Sequence, residues 1–285
     1  TMRWFLLVGL AVVGGWGILG CEWRNVGQTA LGEVGPTYFV NQGLALNEGG
    51  ANGATLYLSG QYVILEVDPA SPDGLLRSMN SMPIPQAMEL TDVHSMHVGD
   101  VSVWVEEVGG EIVEWVLAPV ENEAKKHASI IKYSPRESWR IADIRATSQQ
   151  HMSWVAVDSA GVLYSSEFDD VVEILRYNAS TLTPIEPSLP LATKLQGVQG
   201  GATYTCTNGA GECLYLTQNP PRAGVTQVDL HTGETNVAVR APILTEAEGI
   251  TFGALSGKGT MHVLNGHAVN ARYRSHSTIF HYECQ

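Results

Sequence analysis

The sequence has little charge, and least of all positive charge. Charged residues make up 16% of the 285 positions, and 16 Lys and Arg stand against 29 Asp and Glu, a formal net charge of −13. A surface of this sign repels phosphate backbones and anionic lipid headgroups. We therefore expect no nucleic-acid partner.

The short motifs that identify many enzymes are also missing. The sequence contains no Gly-x-Ser-x-Gly nucleophile elbow, no Walker phosphate loop and no His-Glu-x-x-His zinc motif. Any catalytic site would have to be assembled from residues that lie far apart in the sequence. The sequence leaves enzymatic activity open and favours a role without turnover.

Long stretches with helical periodicity are missing beyond residue 28. Short apolar runs rich in Val, Ile, Leu, Tyr and Trp alternate instead with turn-forming clusters, drawn from 30 Gly and 13 Pro together with Asn and Asp. This pattern predicts an all-β protein.

One sequence unit recurs five times in the body of the chain. Each copy opens with a polar residue, a small residue and an apolar run, and these openings begin near positions 42, 94, 151, 199 and 248. A second apolar strand follows at residues 56–58, 103–105, 163–165, 214–216 and 261–263, and a third at 65–68, 131–134, 175–178, 226–229 and 280–283. A period of about 50 residues is typical of propeller blades.

Five openings predict a β-propeller of five blades. Six blades are the runner-up, because residues 106–129 make the second unit overlong and include an apolar run at 111–116. The last copy has no fourth strand, and we expect residues 37–40 to supply it and so close the ring. The predicted organisation is a signal or anchor segment over 1–21, a linker over 22–36 and the propeller over 37–285.

The first 21 residues predict export. Arg3 precedes an uncharged run over 4–20, which ends at Cys21. Ile18-Leu19-Gly20-Cys21 resembles a bacterial lipobox, which implies cleavage before Cys21 and lipidation of that cysteine. In the other interpretation the run stays on the protein as a hydrophobic helix that anchors it in the membrane. Both interpretations place the body outside the cytoplasm, facing the periplasm or the cell exterior.

An exported location permits disulfides, and the four cysteines offer two. Cys206 and Cys213 flank a loop with Asn-Gly turn chemistry, so a hairpin could bring their sulfurs together. Cys284 is left over if Cys21 is acylated and could pair with Cys21 if it is not.

The innermost strands of a propeller surround its central channel, so the five openings should converge at the mouth of that channel. The polar residues of this ring are Gln42, His94, His151, Gln199 and Glu248. Such a ring could bind a polar ligand or a divalent cation, with His94, His151 and Glu248 as the candidate metal ligands. We predict no other cofactor.

The repeats resemble the broad group of YWTD/NHL-type and senescence-marker-like propellers, in units such as residues 154–164, Trp-Val-Ala-Val-Asp-Ser-Ala-Gly-Val-Leu-Tyr. Senescence-marker-like and paraoxonase-like propellers hold a catalytic calcium at the channel mouth with Glu, Asn and Asp. This resemblance implies a metal-dependent hydrolase or lactonase. The present ring departs from that pattern, because two His and two Gln stand at its openings.

We therefore expect an exported, membrane-tethered propeller that acts as a binding or assembly module, an accessory subunit of a membrane or envelope complex. Its partners would be the membrane, through the N-terminal segment, and a protein that docks on the irregular second unit, where Trp115 and Trp139 are candidate contact residues. The alternative is a metal-dependent hydrolase or lactonase with its site at the channel mouth.

Overall fold

The chain folds as an all-β propeller of five blades, as the repeats predict. The computed structural model describes residues 21–31, 40–49, 53–70, 76–81, 96–122, 127–209, 211–240, 246–255, 257–266 and 277–285, which form 21 strands in five antiparallel sheets. Within these ranges the helical element is one 3-10 turn, Pro135–Glu137. The same ranges contain no helix with the length and hydropathy needed to span a bilayer. The hydrophobic helix expected over 1–21 lies, up to residue 20, outside the described residues.

Strand β1 (Trp23–Ala30) comes first in the chain and belongs to the last blade. Blade 1 contains β2 (Gly43–Asn47), β3 (Thr55–Gly60), β4 (Val63–Val67) and β5 (Leu76–Asn80). Blade 2 contains β6 (Met96–Val98), β7 (Ser102–Val108), β8 (Glu111–Asn122), β9 (His127–Ser134) and β10 (Arg140–Ala146). Blade 3 contains β11 (Ala156–Val157), β12 (Val162–Ser165), β13 (Val171–Asn178) and β14 (Leu189–Leu195). Blade 4 contains β15 (Val198–Thr205), β16 (Glu212–Gln218), β17 (Gly224–Asp229) and β18 (Thr235–Arg240), and blade 5 contains β19 (Ala247–Phe252), β20 (Met261–Asn265) and β21 (Thr278–Cys284).

Blade 2 differs from the expected unit. Residues 103–105, predicted as its second strand, belong to β7, which continues the innermost strand begun by β6. The second strand is β8, whose two halves pair with β6 and with β7. The overlong segment therefore lengthens two strands of one blade and adds no sixth blade.

The ring closes by pairing the two ends of the described chain. Strand β1 lies antiparallel to β21, from Trp23 opposite Cys284 to Ala30 opposite Thr278, and supplies the fourth strand of blade 5. The expectation that residues 37–40 would do so is wrong, and residues 23–30 of the predicted linker are part of the propeller. Sequence reasoning missed β1 because it is largely polar and mostly exposed, so it lacks the apolar alternation of the other strands.

Two disulfides are present. Cys206 bonds Cys213 with an S–S distance of 2.05 Å, as the loop between them predicts. Cys21 bonds Cys284 beside the β1–β21 pairing, which is the alternative to acylation of Cys21. A sulfur in a disulfide carries no thioether-linked lipid, so the structure does not support the prediction of lipidation at Cys21.

A chain of hydrogen bonds also crosses the closing blade. His262 Nε2 lies 2.8 Å from the Gly253 carbonyl oxygen, its Nδ1 lies 2.8 Å from His281 Nδ1, and His281 Nε2 lies 2.9 Å from Thr29 Oγ1 on β1. A carbonyl only accepts, so His262 Nε2 donates, His281 Nδ1 donates to the bare His262 Nδ1, and Thr29 donates to His281. This assignment holds for neutral imidazoles, the form that the lowered pKa values of the two rings favour near neutral pH. Burial lowers the pKa of both rings, that of His281 to about 4, with the neighbouring His262 adding to the effect.

Apolar side chains fill the gaps between neighbouring blades. Blades 1 and 5 share a fully buried cluster that includes Leu44, Leu58, Leu264 and Ile279. Burial of one such side chain stabilises the fold by about 1.5–3 kcal/mol, so these seams hold the ring together.

Polar side chains also join blades 1 and 2. Arg136 donates to Glu66 of β4 at 2.6 Å and to Glu114 of β8 at 3.0 Å, and Tyr57 of β3 donates to Glu114. The ring of Trp139 packs edge-on against Tyr57 at a centroid distance of 5.9 Å. Trp115 is buried and donates to Glu106. The expectation that Trp115 faces a partner is therefore wrong, because its ring is buried, whereas Trp139 is half-buried and its contact with a partner stays a prediction.

Candidate functional site at the propeller axis

The innermost strands converge on the axis with unusually close backbone contact. A Cβ added to Gly249 would lie 2.6 Å from Gly43 Cα, and one added to Gly200 would lie 2.3 Å from the Glu248 carbonyl oxygen. Each distance is shorter than real Cβ contacts allow. Glycine is therefore required at these positions, and the starts of blades 1, 4 and 5 touch one another.

Three predicted ring residues come directly before these glycines. Gln42 precedes Gly43, Gln199 precedes Gly200, and Glu248 precedes Gly249. The sequence prediction that these openings meet at the axis therefore holds for their backbone. His151 lies at the corresponding end of blade 3, and His94 lies outside the described residues. Binding of a ligand by this ring stays a prediction.

Asp100 occupies the centre of the convergence, and sequence reasoning missed it. Its Oδ1 accepts from the backbone N–H of Leu44 at 2.9 Å, and its Oδ2 accepts from those of Gly201 at 3.0 Å and Ile250 at 3.3 Å. Its own N–H donates to the Ser153 carbonyl at 2.7 Å. One side chain and its backbone thus bond all four other blades, and protein atoms fill the axis at this level.

The signal that could have found Asp100 is the glycine before it. Gly99 packs against the backbone of Ser153, where a Cβ would lie 1.9 Å from the carbonyl oxygen. It therefore plays in blade 2 the part that Gly43, Gly200 and Gly249 play in their blades. If the second repeat is aligned with the others on Gly99, and not on His94, the alignment places Asp100 at the axis.

Two acids near the axis are held in conditions that favour their neutral form. Burial raises the pKa of Asp100 well above its usual range, although its three backbone N–H partners oppose the rise. Burial also raises the pKa of Glu248, and the charges of Glu246 and Asp100 add to it. Carboxyl groups crowded together in low dielectric keep protons, because two adjacent negative charges are unfavourable.

A second cluster lies between blades 2 and 3, around another acid that the sequence did not single out. Oε1 of the fully buried Glu121 lies 2.6 Å from His97 Nε2 and 3.0 Å from His151 Nε2, and its Oε2 accepts from the Met152 N–H at 3.0 Å. Burial alone would raise the pKa of Glu121, but the bonds from His151 and His97 outweigh it and leave the pKa below its usual value.

His151 is thus held from two sides. Its ring faces Phe168 at a centroid distance of 4.7 Å, and its backbone N–H donates to Glu167 at 2.9 Å. The candidate metal set of His94, His151 and Glu248 is not brought together in the described part of the chain, where His151 turns towards Glu121.

Among the described residues, the carboxylates near the axis do not form a cation site. Asp100 is bonded by three backbone donors, Glu121 by two imidazoles and an N–H, and Glu248 by Glu246. No group of three or more His, Cys, Asp or Glu among the described residues is arranged to hold a metal ion. A hard cation needs carboxylate oxygens that are open to it.

Comparison with known proteins identifies the fold and no family. No protein-family model matches the chain, and no curated protein matches it in sequence. Among solved structures, a luciferin-regenerating enzyme shares 10% identity with a TM-score of 0.54 over 92% of this chain and 95% of its own. The exo-β-1,3-galactanase of Phanerochaete chrysosporium shares 12% identity with a TM-score of 0.53, over 93% of this chain and 67% of its own.

A bifunctional GH43-CE protein of Bacteroides eggerthii gives a TM-score of 0.54 at 10% identity, over 88% of this chain and 34% of its own. Identities this low indicate the architecture alone, and propellers of one architecture host unrelated activities. Function has to be argued from this chain's own surfaces.

Proposed function

We propose that the protein is an exported, membrane-tethered propeller that acts as a binding or assembly module, an accessory subunit of a membrane or envelope complex. The observation that carries the proposal is the hairpin of β7 and β8. Strand β9 pairs with β8 only from Val116 onwards, so the tip of the hairpin extends beyond the rest of blade 2. We define the blade-2 tip as residues 106–113.

The blade-2 tip has the chemistry of a contact surface. Val108 and Ile112 are 49% and 59% exposed, on either side of a turn at Gly109 and Gly110 whose φ angles are 63° and 88°. Two positive φ angles suit a tight two-residue hairpin turn, which gives the ribbon a defined shape. Val108 lies opposite Glu111 and Ile112 lies opposite Glu107, so each face of the ribbon presents one exposed apolar residue beside an acid. The expected partner therefore offers apolar contacts with basic groups next to them.

The hydrolase alternative finds less support at the axis. Asp100 accepts from three backbone N–H groups and connects the blades, and the carboxyl group of Glu248 is paired with that of Glu246. We also propose that the chain is related to the senescence-marker-like propellers. In support, residues 154–164, which resemble their repeats, form the inner hairpin β11–β12 of blade 3.

Export is part of the proposal, and the two disulfides support it, since such bonds persist in oxidising compartments. The apolar run over 4–20 would be the tether. Because the structure pairs Cys21 with Cys284, a retained anchor fits better than a lipid on Cys21. Thiol labelling without reductant should modify none of the four cysteines, and removal of residues 4–20 should release the protein from membranes.

The docking test places a photo-crosslinking amino acid at position 112 in intact cells, with position 172 as the matched control. Val172 is 58% exposed on blade 3, so the two sites are equally open to solvent. We expect one crosslinked protein species at 112 and none at 172. Val108→Ser with Ile112→Ser should abolish co-purification of that species, and Val26→Ser with Val172→Ser should leave it unchanged.

Removal of the whole segment 106–129 would be uninformative, because it takes out β8 at the centre of blade 2. Equal crosslinking at 112 and 172, or co-purification that survives the double serine variant, would overturn docking at the blade-2 tip. Circular dichroism and a thermal melt verify that each variant is folded.

A further inference from the structure

A cleft of about 680 Å³ lies at the rim of the propeller between blades 3 and 4. Thr193 and Leu195 of β14 form one wall, β18 forms the other, and the floor comes from β17 and the loop before it. Its volume is within the range of about 300–1,000 Å³ that is usual for ligand sites. This rim cleft is remote in the chain from the blade-2 tip and takes no part in the axis.

The walls of the rim cleft are strand edges. β14 and β18 are the outermost strands of their blades, so each pairs with its own blade along one edge. The Ala192 N–H donates to the Gly233 carbonyl at 2.9 Å, which ties β14 to the turn between β17 and β18. Arg222 reaches across to the Lys194 carbonyl at 3.4 Å. An outer edge presents backbone N–H and C=O groups to which an extended chain can pair.

The lining of the rim cleft is apolar with positive charge at its border. Leu195, Val225 and Val239 are buried in its floor and walls, whereas Val237 is 57% exposed. Among the described residues that line it, Arg222 and Arg240 carry charge and none is acidic. In a chain of net charge −13 this is a local reversal of sign, and it favours an anionic ligand.

We propose that the rim cleft binds an extended acidic peptide segment by strand addition. Backbone groups of the peptide would pair with the outer edge of β18, because groups on the outer edge of β14 already bond Gly233 and Arg222. Its apolar side chains would pack on Val237 and the buried valines, and alternate acidic side chains would reach Arg222 and Arg240. The alternation follows from strand geometry, in which successive side chains point to opposite faces. The proposal goes beyond docking at the blade-2 tip and does not depend on it.

The probe is a fluorescein-labelled, acetylated and amidated peptide of three Val-Glu repeats, measured by fluorescence anisotropy with the full-length protein. We expect saturable binding that weakens several-fold from 50 to 300 mM salt, and none for the Val-Lys counterpart. Arg222→Gln with Arg240→Gln should weaken binding at least tenfold. The control is Arg24→Gln with Arg140→Gln, which removes the same charge elsewhere and should change affinity less than twofold.

Two further measurements separate strand addition from other occupants. A probe with N-methylated backbone amides should lose binding, because it cannot pair with a strand edge. Sodium dodecanoate should not displace the probe; displacement would assign the rim cleft to an anionic lipid and overturn the proposal. Equal binding by the two double-arginine variants would also overturn it. The Val108→Ser, Ile112→Ser variant should bind the probe normally, so failure here is distinct from failure of the docking proposal.

Discussion

Two regions hold the ring together: the axis around Asp100 and the closing seam, where β1 pairs with β21. The axis relies on a buried acid, and the seam relies on buried bases. At the axis a buried acid accepts backbone N–H groups from three blades, and burial raises its pKa. The seam between β1 and β21 contains a disulfide and a pair of imidazoles whose pKa values are lowered. Burial favours the uncharged form in both places. Acidification should therefore protect the axis and weaken the seam.

The largest expected effect comes from Asp100→Ala. The substitution leaves three buried backbone N–H groups without an acceptor, at about 1–3 kcal/mol each, so we expect a loss of about 4–6 kcal/mol in the free energy of unfolding. Urea denaturation measures it. Asp143→Ala, at an exposed strand position, should change stability by less than about 0.5 kcal/mol. A loss below about 1 kcal/mol for Asp100→Ala would show that the bonds of Asp100 do not hold the blades together.

Removal of the Cys21–Cys284 disulfide at the seam should have the second-largest effect on stability. Cys21 and Cys284 are 263 residues apart, whereas Cys206 and Cys213 are separated by 7. Because a cross-link restricts the unfolded chain more when it closes a longer loop, we expect a loss of about 3–4 kcal/mol for the Cys21→Ser, Cys284→Ser pair. The Cys206→Ser, Cys213→Ser pair should lose about 2 kcal/mol. Thermal melts of the two variants compare them directly, and a reversed order would contradict the closing role of the seam.

A glycine substitution tests the axis without touching its acid. Gly249→Ala places a methyl group 2.7 Å from the Asp100 carboxylate and should cost about 2–3 kcal/mol through overpacking. Gly49→Ala is the control, because nothing lies within 4 Å of its added Cβ. The control should stay within about 0.5 kcal/mol of the parent protein. Equal melting temperatures for the two variants would refute close packing of the inner strands.

The smallest effect is the pH dependence of the seam. The folded pKa of His281 is about 4, below its value of about 6.5 in the unfolded chain, so the unfolded chain takes up protons first. Stability should fall by about 1–2 kcal/mol between pH 6.5 and pH 4, after allowance for solvent screening. Glu48 and Lys258 are the charged groups that face the pair.

Urea denaturation at several pH values measures this slope. His262→Gln with His281→Gln should lower stability at pH 7 and flatten the slope below pH 6.5. Asp100 and Glu248 contribute with the opposite sign. Their folded pKa values are raised, so their contribution is present at low pH and is lost as the pH rises through those values. If the double glutamine variant shows the same slope of stability against pH, the two histidines do not cause the pH dependence.

The regular blades could be predicted from sequence because each strand carries its own apolar pattern and each turn its own glycine or proline. Three of the strands of blade 4 coincide with the runs at 199–202, 214–216 and 226–229. The closing strand could not be predicted in this way, because β1 is held by backbone pairing and a disulfide more than by burial of side chains.

The site was harder to predict for a related reason. The sequence identified Gln42, Gln199 and Glu248 as neighbours, since a shared repeat position becomes a shared place on the axis. Asp100 and Glu121 escaped because each occurs in one blade alone, inside the irregular second unit. Their roles come from contacts with other blades, as in the 2.6 Å approach of Glu121 to His97 and the bonds of Asp100 to blades 1, 4 and 5. Comparison of the repeats identifies positions that the blades have in common, whereas the contacts of Asp100 and Glu121 depend on residues that occur in one blade only.

The pairing of β1 with β21 has a consequence for biosynthesis. Among the described strands β1 is synthesised first and β21 last, so β1 cannot pair until β21 has left the ribosome, and until then the growing propeller has an open edge at both ends. Blades 1 to 4 can form one after another, but the ring exists only at the final step. A chain that stops before residue 278 would expose two open edges to proteases and to other chains, and quality control could distinguish it from the finished protein by those edges alone.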